Sequence, residues 1–168
     1  SYSYVFLMLV CFCIMKVCLA CSRGGHLTEG LQLKGPLDKY DWFIVTEESP
    51  DTERMGVETF FLPSFHNMIG NRGYNPIALV KNILSAVKLF LRTRPKVVVS
   101  TGAAAVLPFC IIAKLFGTKL VFIESLARIR KPSLSGRIAY WFSDRFFVQW
   151  EKTLEHYGGK AEFKGALV

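Results

Sequence analysis

The sequence predicts an α/β domain of Rossmann-like type, a mostly parallel sheet with helices on both faces. Three observations carry that reading. Short apolar runs alternate with helical segments along the chain. The runs at 96–100 and 119–123 lack polar alternation, as strands covered on both faces do. A turn with two adjacent glycines, Gly24 and Gly25, joins the first run to the first helical segment.

In chain order, 16–20 reads as the first strand, followed by the glycine turn and a helix over about 25–37. Residues 41–45 and 58–62 read as strands, the second ended by Pro63, with a loop at 50–57 between them. Residues 66–75 hold two glycines and three asparagines and read as a long exposed loop. Asn75 then caps a helix with Pro76 in its first turn. Along it Ile77, Val80, Leu84, Val87 and Leu91 form one apolar stripe, with Leu79, Ile83 and Phe90 beside it. Lys81, Lys88 and Arg92 lie off the stripe, Arg92 and Arg94 complement the helix C-terminus, and Pro95 closes the element. After the strand at 96–100, Thr101 and Gly102 open a helix that runs to Phe116, with Gly117 as its cap. The strand at 119–123 ends on Glu124 and Ser125, and a basic loop (Arg128, Arg130, Lys131) leads to a helix at about 133–142. A strand at 144–148 and a short helix from Glu151 follow. No repeat or low-complexity segment interrupts the pattern.

The 168 residues suffice for one domain with its own core, assigned to 15–168, and not for two. A hydrophobic fraction of 51%, a mean hydropathy of +0.30 and a net charge of +8 point to a surface that meets a membrane or anionic ligands. Nucleic acid is disfavoured, because the basic residues are not interleaved with aromatics on one short element. The five cysteines sit mostly in apolar runs and read as small buried hydrophobes of a reducing compartment. Cys18 and Cys21 have the spacing of a metal or redox pair, but nothing completes a zinc site, so no metal is expected. Residues 1–14 carry no charge and are too short for the roughly twenty residues of a membrane span. They read as a membrane-associating N-terminal segment, or as sequence upstream of the domain.

In a parallel sheet of this kind, ligands gather at the carboxyl ends of the strands. The turns at 22–26, 100–102 and 124–128 therefore open on one crevice. The glycine turn and helix start suit an anion, most often phosphate. A third glycine and an acidic residue about twenty positions on would signal a dinucleotide, but Glu47 and Glu48 stand in another context. The Lys-Ser/Thr ending of a P-loop is missing too, so NAD and ATP are disfavoured and no cofactor is expected. His26 reads as a general base, a donor to phosphate, or a simple cap. Glu124 reads as an acceptor from a substrate hydroxyl or as an ion-pair partner of Arg128 that orders the loop. Arg128, Arg130, Lys131 and Arg137 read as a grip on pyrophosphate or lipid head groups, or as a solvated loop. His66 reads as a loop residue, and His156 has no evident partner.

Four motifs occur in fixed order: Ser-Arg-Gly-Gly-His-Leu-Thr-Glu at 22–29, Ser-Thr-Gly at 100–102, Phe-Ile-Glu-Ser-Leu-Ala-Arg at 122–128, and Ser-Asp-Arg-Phe-Phe-Val-Gln-Trp-Glu at 143–151. In these the chain, from residue 16 to about 168, resembles a family of oligosaccharide-biosynthesis proteins. That family includes the membrane-bound subunit of the dolichol-linked N-acetylglucosaminyltransferase. It also takes in bacterial capsule and exopolysaccharide proteins such as the enhancer subunit of a β-1,4-galactosyltransferase. The resemblance implies a split glycosyltransferase of the GT-B type, in which this chain is similar to the N-terminal, acceptor-side half. A separate catalytic subunit would then bind the nucleotide sugar. It further implies a polyprenyl-(pyro)phosphate-linked saccharide as acceptor, contact with membrane lipids, and a place on the cytoplasmic face of a membrane. That membrane would be the plasma membrane in a prokaryote and the endoplasmic reticulum in a eukaryote. His26 inherits the role of candidate base, with Glu124 as a second catalytic group. Ser22, Gly24, Gly25, Ser100, Thr101, Gly102, Ser125 and Arg128 become the acceptor- and phosphate-binding set. Leu107, Phe109, Ile111, Ile112, Leu115 and Phe116 are candidates for membrane insertion or for a core helix, and 150–168 for docking the partner. Two competing readings are a scaffold without chemistry and a stand-alone nucleotide-binding enzyme.

Overall fold

The computed structural model describes residues 15–47, 56–65, 75–102 and 104–167. Among them seven strands make one sheet, all parallel, in the order β3-β2-β1-β4-β5-β6-β7. They are β1 (Lys16–Cys21), β2 (Asp41–Glu47), β3 (Thr59–Leu62), β4 (Val97–Gly102), β5 (Lys119–Ile123), β6 (Arg145–Val148) and β7 (Ala161–Phe163). The helices are α1 (Gly25–Leu31), α2 (Lys34–Leu37), α3 (Pro76–Thr93), α4 (Leu107–Leu115) and α5 (Leu134–Phe142). The order reverses between β1 and β4, so the crevice at their carboxyl ends is the topological switch point.

Alternate residues of the central strands feed two cores. Cys18, Ala20, Phe43, Val45, Val98 and Leu120 pack under α3 and α4, against Ala86, Leu89, Phe90, Phe109 and Ala113. Val17, Leu19, Cys21 and Ile44 face the other way, toward Leu27 and Leu37 of α1 and α2. A third cluster joins Phe122, Phe146 and Val148 to Ala139 of α5. Burial pushes the Cys21 and Cys110 thiols up to about 12, so both pack as neutral apolar groups.

Several elements differ from expectation for identifiable reasons. The helix expected over 25–37 ends at Leu31 and restarts at Lys34. Pro36 has no N–H for the Gln32 carbonyl, and so it fits only the first turn of a new helix. Thr101 and Gly102 do not open a helix. They close β4, Gly102 with φ 99°, and α4 begins at Leu107 with Pro108 in its first turn. A seventh strand, β7, was not expected at all. It pairs with β6 over three residues, held further by the Arg145–Glu162 ion pair at 3.0 Å.

Most of the apolar stripe of α3 is exposed: Ile77 is 69% and Leu84 64% accessible, with Val80, Ile83 and Leu91 open as well, while Val87 packs against the core. The helix packs instead by Asn82, Ala86, Leu89, Phe90 and Thr93. Asn82 fixes that face by donating from Nδ2 to the Pro63 and Ala105 carbonyls at 2.7 and 3.0 Å. On α4 the insertion candidates divide: Phe109 and Ile112 are buried, and only Leu115 and Phe116 are exposed. The segment 1–14, Glu48, most of the loop at 50–57, the 66–74 stretch with His66, and Val168 lie outside the described residues.

At the opposite end of the sheet from the crevice, Asp144 ties α4 to β5. Burial works to raise its carboxyl. The Lys114 ammonium at 2.7 Å, the Leu120 N–H at 2.8 Å and Lys119 at 3.4 Å outweigh that and hold it at about 2. A depressed folded pKa gives stability that is full above the unfolded value and lost as pH falls through the folded one. Asp144→Asn is therefore expected to cost about 1–2 kcal/mol at neutral pH. The difference from wild type closes between about pH 4 and pH 2, which urea unfolding at a series of pH values measures.

Candidate functional site

The crevice is floored by the turns that leave β1, β4 and β5. Gly24 sits at φ 74°, ψ −137°, a conformation that side chains resist, and serves as the N-cap of α1 without any side-chain acceptor. Its carbonyl takes the Leu27 and Thr28 N–H groups at 3.0 and 3.1 Å. An uncapped helix start leaves its first N–H groups to water or a ligand. Ser22 closes the turn from behind, its N–H on the Gly102 carbonyl and its hydroxyl on Glu47 at 2.5 Å. Glu47 thus stands at the end of β2, where a ribose-binding acid would, but is buried and engaged by this chain's own serine.

His26 is clamped to β4 in both directions. Its Nδ1 lies 3.0 Å from the Thr101 carbonyl, and the Thr101 hydroxyl donates to the His26 carbonyl at 2.7 Å. A carbonyl only accepts, so the neutral ring carries its proton on Nδ1 and presents a basic lone pair at Nε2. Nε2 has no hydrogen-bond partner among the described residues, on a side chain one-third exposed. One turn further along α1, Glu29 brings Oε2 to 4.0 Å from Nδ1. Its Oε1 accepts from the Leu126 N–H at 2.7 Å and the Ser125 hydroxyl at 3.2 Å. Glu29 was not singled out from the sequence. The signal was there in the i, i+3 spacing from His26, which puts both on one helix face.

Glu124 is 1% exposed. Its oxygens accept from the Ser125 N–H at 3.1 Å, the Ser133 N–H at 3.1 Å, the Ser133 hydroxyl at 2.7 Å and the Tyr157 hydroxyl. Burial, and then the Glu124 carboxylate itself, push the Tyr157 hydroxyl well up. Glu124 was expected as a catalytic group or as an ion-pair partner of Arg128; the structure buries it, and its hydrogen-bond partners are neutral donors. Gly136 makes the arrangement fit, since a Cβ there would stand 2.1 Å from Glu124 Oε2.

The β5 loop owes its shape to side chains from far along the chain. Gln149 donates to the Glu124 carbonyl, Trp150 to Leu126, Thr153 to Arg128 and His156 to Arg130, at 2.6–3.0 Å. His156 therefore does have a partner. Arg128, Arg130 and Lys131 point outward and are exposed. Ser100 and Thr101, expected to touch a ligand, are fully buried, and their hydroxyls serve Gly102 and His26. Ser125 is buried against Glu29. The accessible part of the expected set is thus Ser22, Gly24, Gly25, His26 and Arg128, while Ser100, Thr101, Ser125 and Glu124 build the walls behind them.

Comparison with known proteins adds the following. The family model described as "Oligosaccharide biosynthesis protein Alg14 like" matches residues 50–167. The UDP-N-acetylglucosamine transferase subunit ALG14 of Yarrowia lipolytica is 42% identical over 91% of this chain and 81% of its own length. The human protein of the same name is 24% identical over 92% of this chain and 83% of its own. Among solved structures, MurG of Acinetobacter baumannii superposes with a TM-score of 0.73 at 13% identity. A UDP-N-acetylglucosamine 2-epimerase from Rickettsia bellii gives 0.70 at 14%. At those identities the likeness is one of fold. This chain covers at least 90% of itself but only 46% and 45% of those two proteins, less than half of each.

Proposed function

The chain belongs to the family of Alg14-like oligosaccharide biosynthesis proteins, and on that premise we propose that it is the acceptor-side subunit of a two-component UDP-N-acetylglucosamine transferase. Residues 15–168 form the acceptor-binding domain, and 1–14 associate with the membrane. The observation that carries this reading is the unpartnered His26 Nε2 beside an uncapped glycine turn. The phosphate of a polyprenyl-(pyro)phosphate-linked saccharide takes the turn of Ser22, Gly24 and Gly25, with Arg128 as a cation at the rim. The acceptor hydroxyl then attacks the anomeric carbon of the sugar as its bond to UDP breaks. UDP leaves, and the hydroxyl proton passes to His26 Nε2. The partner subunit supplies the nucleotide-sugar half, docking near 150–168, where β7 is an edge strand.

The outer helical layer supports a place on the cytoplasmic face of a membrane. α3, α4 and α5 contain no acidic residue, and Lys81, Lys88 and Arg92 flank the open stripe of α3. Leu115 is 79% and Trp141 83% exposed on the same side of the sheet. Apolar groups that enter an interface beside cations that meet anionic head groups make a peripheral membrane surface. No helix among the described residues is long and apolar enough to cross a membrane. Leu84→Asp combined with Leu91→Asp is expected to weaken sedimentation with anionic vesicles about tenfold or more.

The functional test is reconstitution. The chain alone is expected to be inactive, and the chain with its nucleotide-sugar-binding partner to transfer N-acetylglucosamine to a polyprenyl-pyrophosphate-linked acceptor. Turnover of a soluble substrate by the chain alone would overturn the reading.

A further inference from the structure

Glu29 takes no part in the transfer as described, yet the two walls of the crevice meet through it. Its side chain is 12% exposed, and its two oxygens are treated very differently. Oε1 holds the Leu126 N–H and the Ser125 hydroxyl of the β5 loop. Oε2 is buried, has no hydrogen-bond partner, and lies 4.0 Å from His26 Nδ1. A buried carboxylate oxygen without a donor is unfavourable unless a positive charge compensates it. The imidazole beside it is the group that becomes positive when Nε2 accepts a proton.

We propose that Glu29 is the positioning residue of His26. This inference rests on the reading of His26 as the base. The carboxylate favours the Nδ1–H tautomer that the Thr101 carbonyl also selects, and it stabilises the imidazolium formed on proton transfer. By gripping the 125–126 turn with its other oxygen, it couples the strength of the base to the seating of the β5 loop. Among the other charged groups, Arg23 precedes the glycine turn, Glu47 accepts from Ser22, and Arg128 is exposed beyond the β5 turn. β4 offers His26 only the Thr101 carbonyl and hydroxyl. Among the described residues, Glu29 is the acidic group within ion-pair distance of His26.

Glu29→Gln separates the two tasks. The amide keeps an acceptor for Leu126 and Ser125 but removes the charge. With the full chain in complex with its partner and its histidines labelled with 13C at Cε1, the His26 ring is expected to hold its proton less readily in Glu29→Gln than in wild type. The acidic limb of kcat should move to lower pH with it, and kcat should drop about three- to tenfold at neutral pH with KM little changed. An unmoved His26 titration would overturn the proposal and leave Glu29 as a loop fastener. Should Glu29→Gln fail to fold, the 15N shifts of His26 in the wild-type complex still test the proposal, because an Nε2–H tautomer would overturn it. Full transfer by His26→Ala with a shifted titration in Glu29→Gln would refute the base and keep the coupling, so the two failures are distinct.

Discussion

Replacing His26 with Ala is expected to lower transfer by the reconstituted pair about 10²- to 10⁴-fold and to leave folding nearly intact. The loss follows from geometry. Nε2 is the unprotonated nitrogen of a ring whose other nitrogen is fixed to the Thr101 carbonyl, and alanine removes the imidazole that the described residues place at the glycine turn. Stability should fall by no more than about 1.5 kcal/mol, the worth of one partly exposed hydrogen bond. The Thr101 hydroxyl still reaches the backbone carbonyl at position 26. Steady-state transfer and a thermal unfolding curve read the two effects separately. Unchanged transfer with membrane recruitment retained would favour a scaffold that lends no chemistry.

Gly136→Ala is expected to show the opposite pattern, a loss of about 3 kcal/mol in stability. The new methyl would meet Glu124 Oε2 at 2.1 Å and the Tyr157 hydroxyl oxygen at 2.7 Å. Glu124 cannot swing aside without abandoning four donors, of which the Ser125 N–H, the Ser133 N–H and the Ser133 hydroxyl are buried. For a domain of this length the midpoint should drop by about 6–12 °C. Calorimetry or urea unfolding measures it, and a shift below about 2 °C would mean that the network yields easily. Transfer per folded molecule is expected to suffer less than in His26→Ala, because Glu124 is buried and held by this chain's own donors.

The parts legible in the sequence were those fixed by local chemistry or by burial on both faces. Val97, Val98 and Val99 sit between neighbours on either side and read as a strand without further help. Asn75 and Pro76 announce α3, and Gly24 with Gly25 announces the turn. Face assignment on α3 was not legible in that way. Periodicity reports which residues share a face, not whether that face is inward, and here Asn82 and Ala86 point in while Ile77 and Leu84 point out. Glu124 illustrates a second limit. A carboxylate that ends a strand looks alike whether it meets substrate or Ser133, and only the folded chain brings Tyr157 to it across 33 positions. β7 has three residues, too few for an alternation to stand out, so β6 specifies it rather than its own composition.

Four carbonyls between 124 and 130 hang on side chains of Gln149, Trp150, Thr153 and His156. Shortening the polypeptide from its carboxyl end to residue 148 would thus cut these tethers and let the pocket's rim collapse, even with β1 to β6 still paired. A truncation series aimed at the contact between subunits would register that collapse as lost association. Single replacements on β7, such as at Phe163, leave the tethers in place and isolate the contact itself.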